Sequence, residues 1–122
     1  MAVHYEFREE SGVTVASVTG QLNLGNRLME FEHAVKQRID AGSRKMVLDL
    51  SGLTYIYSAG LGMMAACVGA MSSAGGKLVL VTLAGKVTQM FEITRLNRII
   101  ELFPTVDAAC RFFPAPPETA AK

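Results

Sequence analysis

The sequence is poor in cysteine, in net charge and in long apolar runs, and each shortage removes a class of protein. Its two cysteines, Cys67 and Cys110, lie far apart, form no CxxC and have no histidine cluster nearby. A disulfide framework and a metal site therefore have no basis. Twelve Lys plus Arg against eleven Asp plus Glu give a formal charge of +1, so no net field draws the chain to nucleic acid or an anionic membrane. No apolar run reaches the roughly 18–20 residues of a spanning helix. The first residues, Met1 to Glu6, show neither the basic stretch nor the apolar stretch of a signal peptide. The expectation is a soluble cytoplasmic protein with no membrane insertion and no direct nucleic-acid contact.

What remains is apolar and patterned. Half of the 122 residues are hydrophobic and 19% are charged, which excludes a mainly disordered chain. The length suits one core. Val13 to Thr19 alternates β-branched with small residues and reads as a strand, with a weaker strand over His4 to Arg8 and a polar turn over Glu9 to Gly12. Leu28, Phe31, Val35 and Ile39 carry helical spacing over Leu28 to Ala41, with Asn26 as N-cap and Gly42 as stop. Lys45 to Leu50 and Leu78 to Val81 are short apolar runs that fit buried strands. Helices are expected over Gly60 to Ala74, Val87 to Thr94 and Val106 to Phe113, the last capped by Thr105, with a brief edge strand over Ile99 to Leu102. Strands alternating with helices imply an α/β fold with a mixed, largely parallel sheet and an N-terminal β-hairpin at one edge. The domain is expected over residues 1–113, followed by a mobile Pro/Ala-rich tail over 114–122.

The informative loop lies between Leu48 and Gly62. A buried strand ends, and Ser58 stands just before a helix, where a hydroxyl serves as an N-cap. The same geometry suits a phosphate, because a helix N-terminus offers free N–H groups and partial positive charge. Gly60 and Gly62 add no bulk, so another protein can approach the backbone there. Met63 is expected off the buried face, as part of an adaptable partner surface. Hydrolase, P-loop and dinucleotide motifs all fail: position 56 is Ile, Gly85-Lys86 is followed by Val87, and position 65 is Ala. No His or acid is placed to make Ser58 an esterase nucleophile. His4 and His33 lack a ligand pattern, so neither catalytic residues nor a cofactor are expected.

Three stretches, in order, resemble the STAS-domain family and, within it, the bacterial anti-sigma factor antagonists. Gly20-Gln21-Leu22-Asn23 is similar to that family's Gly-Glu-Leu-Asp. Leu48-Asp49-Leu50-Ser51 through Ser58-Ala59-Gly60-Leu61-Gly62 is similar to its signature strand and Asp-Ser-Ser/Thr-Gly-Leu-Gly loop. Met90-Phe91-Glu92-Ile93-Thr94-Arg95-Leu96 is similar to Leu-Phe-Asp-Ile-Thr-Gly-Leu. The resemblance implies a STAS fold, with helices mainly on one face of the sheet, and a partner-switching role without enzymatic activity. The unmodified chain would bind an anti-sigma factor serine kinase, and phosphorylation of Ser58 would release it. A PP2C-type phosphatase would reset it. The implied partner surface comprises Gln21, Asn23, Tyr57, Ser58, Ala59, Gly60, Leu61, Gly62 and Met63. The chain departs from the pattern at Tyr57, Ala59, Gln21, Asn23 and Arg95, so carboxylates around that surface are reduced while the acceptor hydroxyl is kept. The alternative is a STAS scaffold or regulatory subunit of a signalling or lipid-transport complex, without a phosphate switch. A homodimer through an N-terminal edge strand stays open.

Overall fold

The computed structural model describes residues 4–22, 26–82 and 85–113. The chain enters as a hairpin. Strand β1 (His4–Glu10) pairs antiparallel with β2 (Val13–Leu22), and Glu10 sits opposite Val13. The two residues between, Ser11 and Gly12, both take positive φ, at 53° and 83°. That is the handedness of the two-residue turn whose twist matches paired strands. After α1 (Asn26–Asp40) come β3 (Lys45–Ile56), α2 (Ser58–Ser73), β4 (Lys77–Val81), α3 (Lys86–Ile93), a 3-10 turn (Leu96–Arg98), β5 (Leu102–Phe103) and α4 (Val106–Phe112). The five strands lie side by side in chain order, and every pair after the hairpin is parallel. The edge strand expected over Ile99 to Leu102 lies further on. Ile99 is exposed on a turn, Ile100 plugs the core, and pairing begins only at Leu102. The tail over 114–122 lies outside the described residues.

Alternation along the strands sorts side chains between two cores. Ala16, Val18, Met46, Leu48, Leu50, Leu78 and Leu80 face α1, α2 and α3, meeting Phe31, Val35, Met64, Cys67, Met71 and Phe91. Val13, Val15, Val47, Val79 and Val81 face the other way and are covered by Ala109 and Phe113 at α4. Three helices thus cover one face and a single short helix covers part of the other.

Strand β3 runs six residues past the expected Leu50 because two register shifts rescue its pattern. Ser17 pairs with Asp49 but Thr19 with Gly52, and Gly20 pairs with Leu53 but Gln21 with Tyr55. Each extra residue flips the side-chain parity of the residues after it. Leu53 and Ile56 therefore rejoin the core of Leu50 although their spacing breaks strict alternation. The first shift is pinned by Asp49, whose carboxylate accepts the Ser51 N–H at 3.0 Å and the Ser51 hydroxyl at 2.7 Å. Gly52 is required there, since a Cβ would lie 2.6 Å from Thr19 Cγ2 and 3.3 Å from the Val18 carbonyl oxygen.

Helix α1 stops as expected at Gly42. With φ of 111°, Gly42 donates its N–H to the Ile39 carbonyl while Ser43 donates to Arg38, which satisfies two carbonyls of the last turn. Helix α2 closes with the same pair of bonds, from Gly75 to Ser72 and from Gly76 to Met71. Asn26 is the first residue of α1 and not its cap. Thr105 does cap α4, its hydroxyl accepting the Ala108 N–H at 3.0 Å.

Candidate functional site

The end of β3 and the start of α2 bring the candidate residues together. Ile56 is fully buried and anchors the turn from strand to helix. Its neighbours project outward, and the rings of Tyr55 and Tyr57 meet edge to face with centroids 4.7 Å apart. Gln21 pairs with Tyr55 across the sheet, so the backbone of that predicted residue borders the same turn. Asn23 lies outside the described residues.

The cap position belongs to Tyr57 and not to Ser58. Tyr57 has extended backbone angles, φ −102° and ψ 169°, and no side-chain cap bond. Its carbonyl accepts the Leu61 N–H at 3.0 Å, the first bond of the helix. Ser58 is instead the first helical residue, and it is exposed. No hydrogen bond engages its hydroxyl among the described residues, so the oxygen faces solvent unoccupied by any capping duty. Ile56 is buried in the core, and the chain turns helical directly after Tyr57.

Not every predicted contact residue reaches the surface. Tyr57 (41% exposed), Ser58 and Gly62 do, and Ala59 is half-buried. Gly60 and Leu61 are buried. Met63, expected off the buried face, is 5% exposed, with its sulfur accepting the Cys67 thiol at 3.5 Å. Helix α2 is apolar nearly all round, so its period does not mark which side faces out.

The exposed side of α2 is a line of small residues, Ser58, Gly62, Ala66, Gly69 and Ser73, at spacings of three and four. The 16-residue helix carries no charged side chain. A Cβ on Gly62 or Gly69 would meet nothing within 4 Å, so packing inside the chain does not require either glycine. Tyr55 and the line from Ala66 onward were not singled out in the sequence. Their signals were the two-residue spacing of tyrosines at a strand end and small residues recurring at helical period.

Burial pushes the Cys67 thiol up to about 12, with the Glu32 carboxylate adding to the shift and Lys36 opposing it. A thiol so held is inert, and no group of three metal-ligating side chains occurs among the described residues.

The STAS domain family model matches residues 4–109. BtrV of Bordetella bronchiseptica, assigned as an anti-sigma factor antagonist, is 32% identical over 102 residues, covering 84% of this chain and 87% of its own. A crystal structure from Thermotoga maritima with the same assignment superposes with a TM-score of 0.74 at 26% identity, covering 88% of this chain and 92% of its own. The structure of an anti-sigma factor antagonist from Mycobacterium paratuberculosis shares the fold with a TM-score of 0.82 at 24% identity, over 90% and 92% of the two chains.

Proposed function

The chain belongs to the STAS-domain family, and we propose that it is an anti-sigma factor antagonist that works by partner switching on Ser58. It is a regulatory protein and not an enzyme. The observation that carries the reading is the exposed, unbonded Ser58 hydroxyl on the first residue of an uncharged helix.

The unmodified surface recognises an anti-sigma factor that is also a serine kinase. Gly62, Ala66 and Gly69 let a partner's backbone approach α2 closely, and Tyr57 supplies a large amphipathic contact of the kind enriched at interfaces. The kinase transfers a phosphoryl group to Ser58 Oγ. The product brings about −1.5 to −2 charges to a helix that carries none. A phosphate at the first turn is favoured by the helix N-terminus, so modification leaves the fold intact. It acts on the complex, where the new charge must be desolvated and meets a surface fitted to a neutral one. A PP2C-type phosphatase restores the binding form.

A second reading, a STAS scaffold without a switch, is favoured by Tyr57 in place of the acidic neighbour that the resemblance leads one to expect. The two separate in one experiment. Wild type, Ser58→Ala and Ser58→Asp are used as baits in the native bacterium, and captured proteins and the intact mass of the bait are read by mass spectrometry. Partner switching expects a histidine-kinase-like ATPase with the first two, its loss with Ser58→Asp, and a phosphate mapped to Ser58. Equal recovery by all three baits with unmodified Ser58 selects the scaffold.

A further inference from the structure

At the opposite end of β3 from Ser58, a cleft of about 390 Å³ opens between the turn end of the hairpin and the loop from α1 to β3. Its size falls within the range of small-molecule pockets, roughly 300–1,000 Å³. Arg38, Arg44 and Lys45 line it against a single carboxylate, Glu9. A cluster of cations on a surface is ordinary. What distinguishes this one is how the two guanidinium groups are held.

Arg38 lies over the Phe7 ring, its Cζ 4.4 Å from the centroid. Arg44 donates from one terminal nitrogen to the Ile39 and Ser43 carbonyls, both at 2.9 Å, fastening itself to the end of α1. An aromatic face and two carbonyls orient these groups without neutralising them, and among the described residues neither Arg38 nor Arg44 forms an ion pair. Glu9 is occupied on the hairpin side, accepting the Thr14 hydroxyl at 2.8 Å, and Thr14 is itself 4% exposed and 3.0 Å from the Ser43 hydroxyl. The planar forks of two oriented arginines match the oxygens of a phosphate group.

We propose that this cleft, through Arg38, Arg44 and Lys45, binds the phosphate group of a small soluble phosphorylated compound. Among the described residues, none of the exposed large hydrophobics (Met29, Tyr57, Ile93, Ile99 and Phe112) lines the cleft. A headgroup site on a membrane normally has apolar side chains to insert beside it, which favours the soluble source. Strand β3, with its two extra residues discounted, separates the cleft from Ser58 by roughly 30 Å at strand rise, so ligand and docking partner do not compete for space.

The test is an amide NMR titration of the full chain with inorganic phosphate and with pyrophosphate, against sodium chloride at matched ionic strength. Saturating shifts centred on Thr14 and Gly42 to Lys45 are expected with pyrophosphate. Arg38→Gln and Lys45→Gln should each weaken binding about tenfold, the scale of one lost charge-assisted bond. Glu9→Gln keeps an acceptor for Thr14 and removes the opposing charge, so it should bind severalfold more tightly. A gain of affinity cannot come from a damaged fold, which protects the test against a poorly folding arginine variant. Shifts that follow chloride, or that Arg38→Gln and Glu9→Gln leave unchanged, overturn the proposal. Co-sedimentation with phosphatidylcholine vesicles containing phosphatidic acid, without saturation by pyrophosphate, overturns the soluble source.

Discussion

Tyr55 and Tyr57, two residues apart at the end of β3, set their rings edge to face at 4.7 Å, and this pair holds a large side chain beside a free serine hydroxyl. Tyr57 takes the cap position yet makes no cap bond, so its presence does little for α2. Tyr57→Ala should lose only the aromatic contact, about 0.5–1.5 kcal/mol, in a urea melt. Binding to the captured partner should fall much more, by tenfold or more, if Tyr57 is an aromatic anchor of the interface. Isothermal titration beside the melt checks both. A loss of affinity no larger than the loss of stability would make Tyr57 a structural residue.

Gly62 separates stability from binding in the opposite sense. It sits inside a helix with open space where its Cβ would be. Gly62→Ala should raise stability by about 0.5–1 kcal/mol and weaken partner binding, because the added methyl group stands where a partner's backbone would approach. Unfolding and binding measured on one sample decide it. Unchanged affinity would remove Gly62 from the interface.

Arg95 links α3 to the 3-10 turn with φ 63° and ψ 17°, a left-handed conformation for a residue with a Cβ. The family pattern to which this stretch is similar has glycine there. Arg95→Gly relieves roughly 1–2 kcal/mol of steric cost and returns part of it as unfolded-state entropy. A net gain of about 0.5–1 kcal/mol in the denaturation free energy is expected. A loss would mean that the Arg95 side chain makes up for its own backbone.

The Cys67 thiol gives the fold an alkaline limit. Held protonated to about 12 by burial, it differs from an unfolded-state thiol that ionises near 9. Below pH 9 both states keep the proton and the thiol adds no pH dependence. Between pH 9 and 12 only the unfolded state releases it, so stability falls by about 1.4 kcal/mol per pH unit. Urea midpoints at about pH 8 and about pH 10.5 should drop for wild type and drop less for Cys67→Ala. In native protein an aromatic disulfide reagent should modify Cys110, which is half-buried, and spare Cys67 until denaturant is added.

The sequence was most readable where one physical rule acted alone. The apolar periods of Leu28 to Ile39 and Val13 to Thr19, the glycine stop at Gly42 and the hydroxyl cap at Thr105 all appear in the structure within a few residues of their expected places. It was least readable where two rules met. Ser51-Gly52 looks like a loop because the register shift pinned by Asp49 hides a continuing strand. Met63 looks exposed because α2 lacks a polar face to set its rotation. Ser58 resembles a cap because serine usually caps, whereas the burial of Ile56 moves the cap position one residue earlier, to Tyr57. Tyr57 and Ser58 could be named from the chain. The distance between the tyrosine rings and the unoccupied hydroxyl needed coordinates.

An α2 without a single charged side chain also bears on kinetics. The helix itself contributes no long-range steering, and Lys36 and Asp40 of α1, which border it near Ser73, are of opposite sign, so its association rate should be of the unaided order, about 10⁵–10⁶ M⁻¹s⁻¹, with little dependence on salt. Phosphate on Ser58 would be the sole charge carried by the helix's own side chains, and its field would be screened within roughly 8 Å at physiological ionic strength. Ionic strength then separates two costs of phosphoserine: added salt restores the part due to repulsion and leaves the part due to desolvation, while bare serine binds with little dependence on salt.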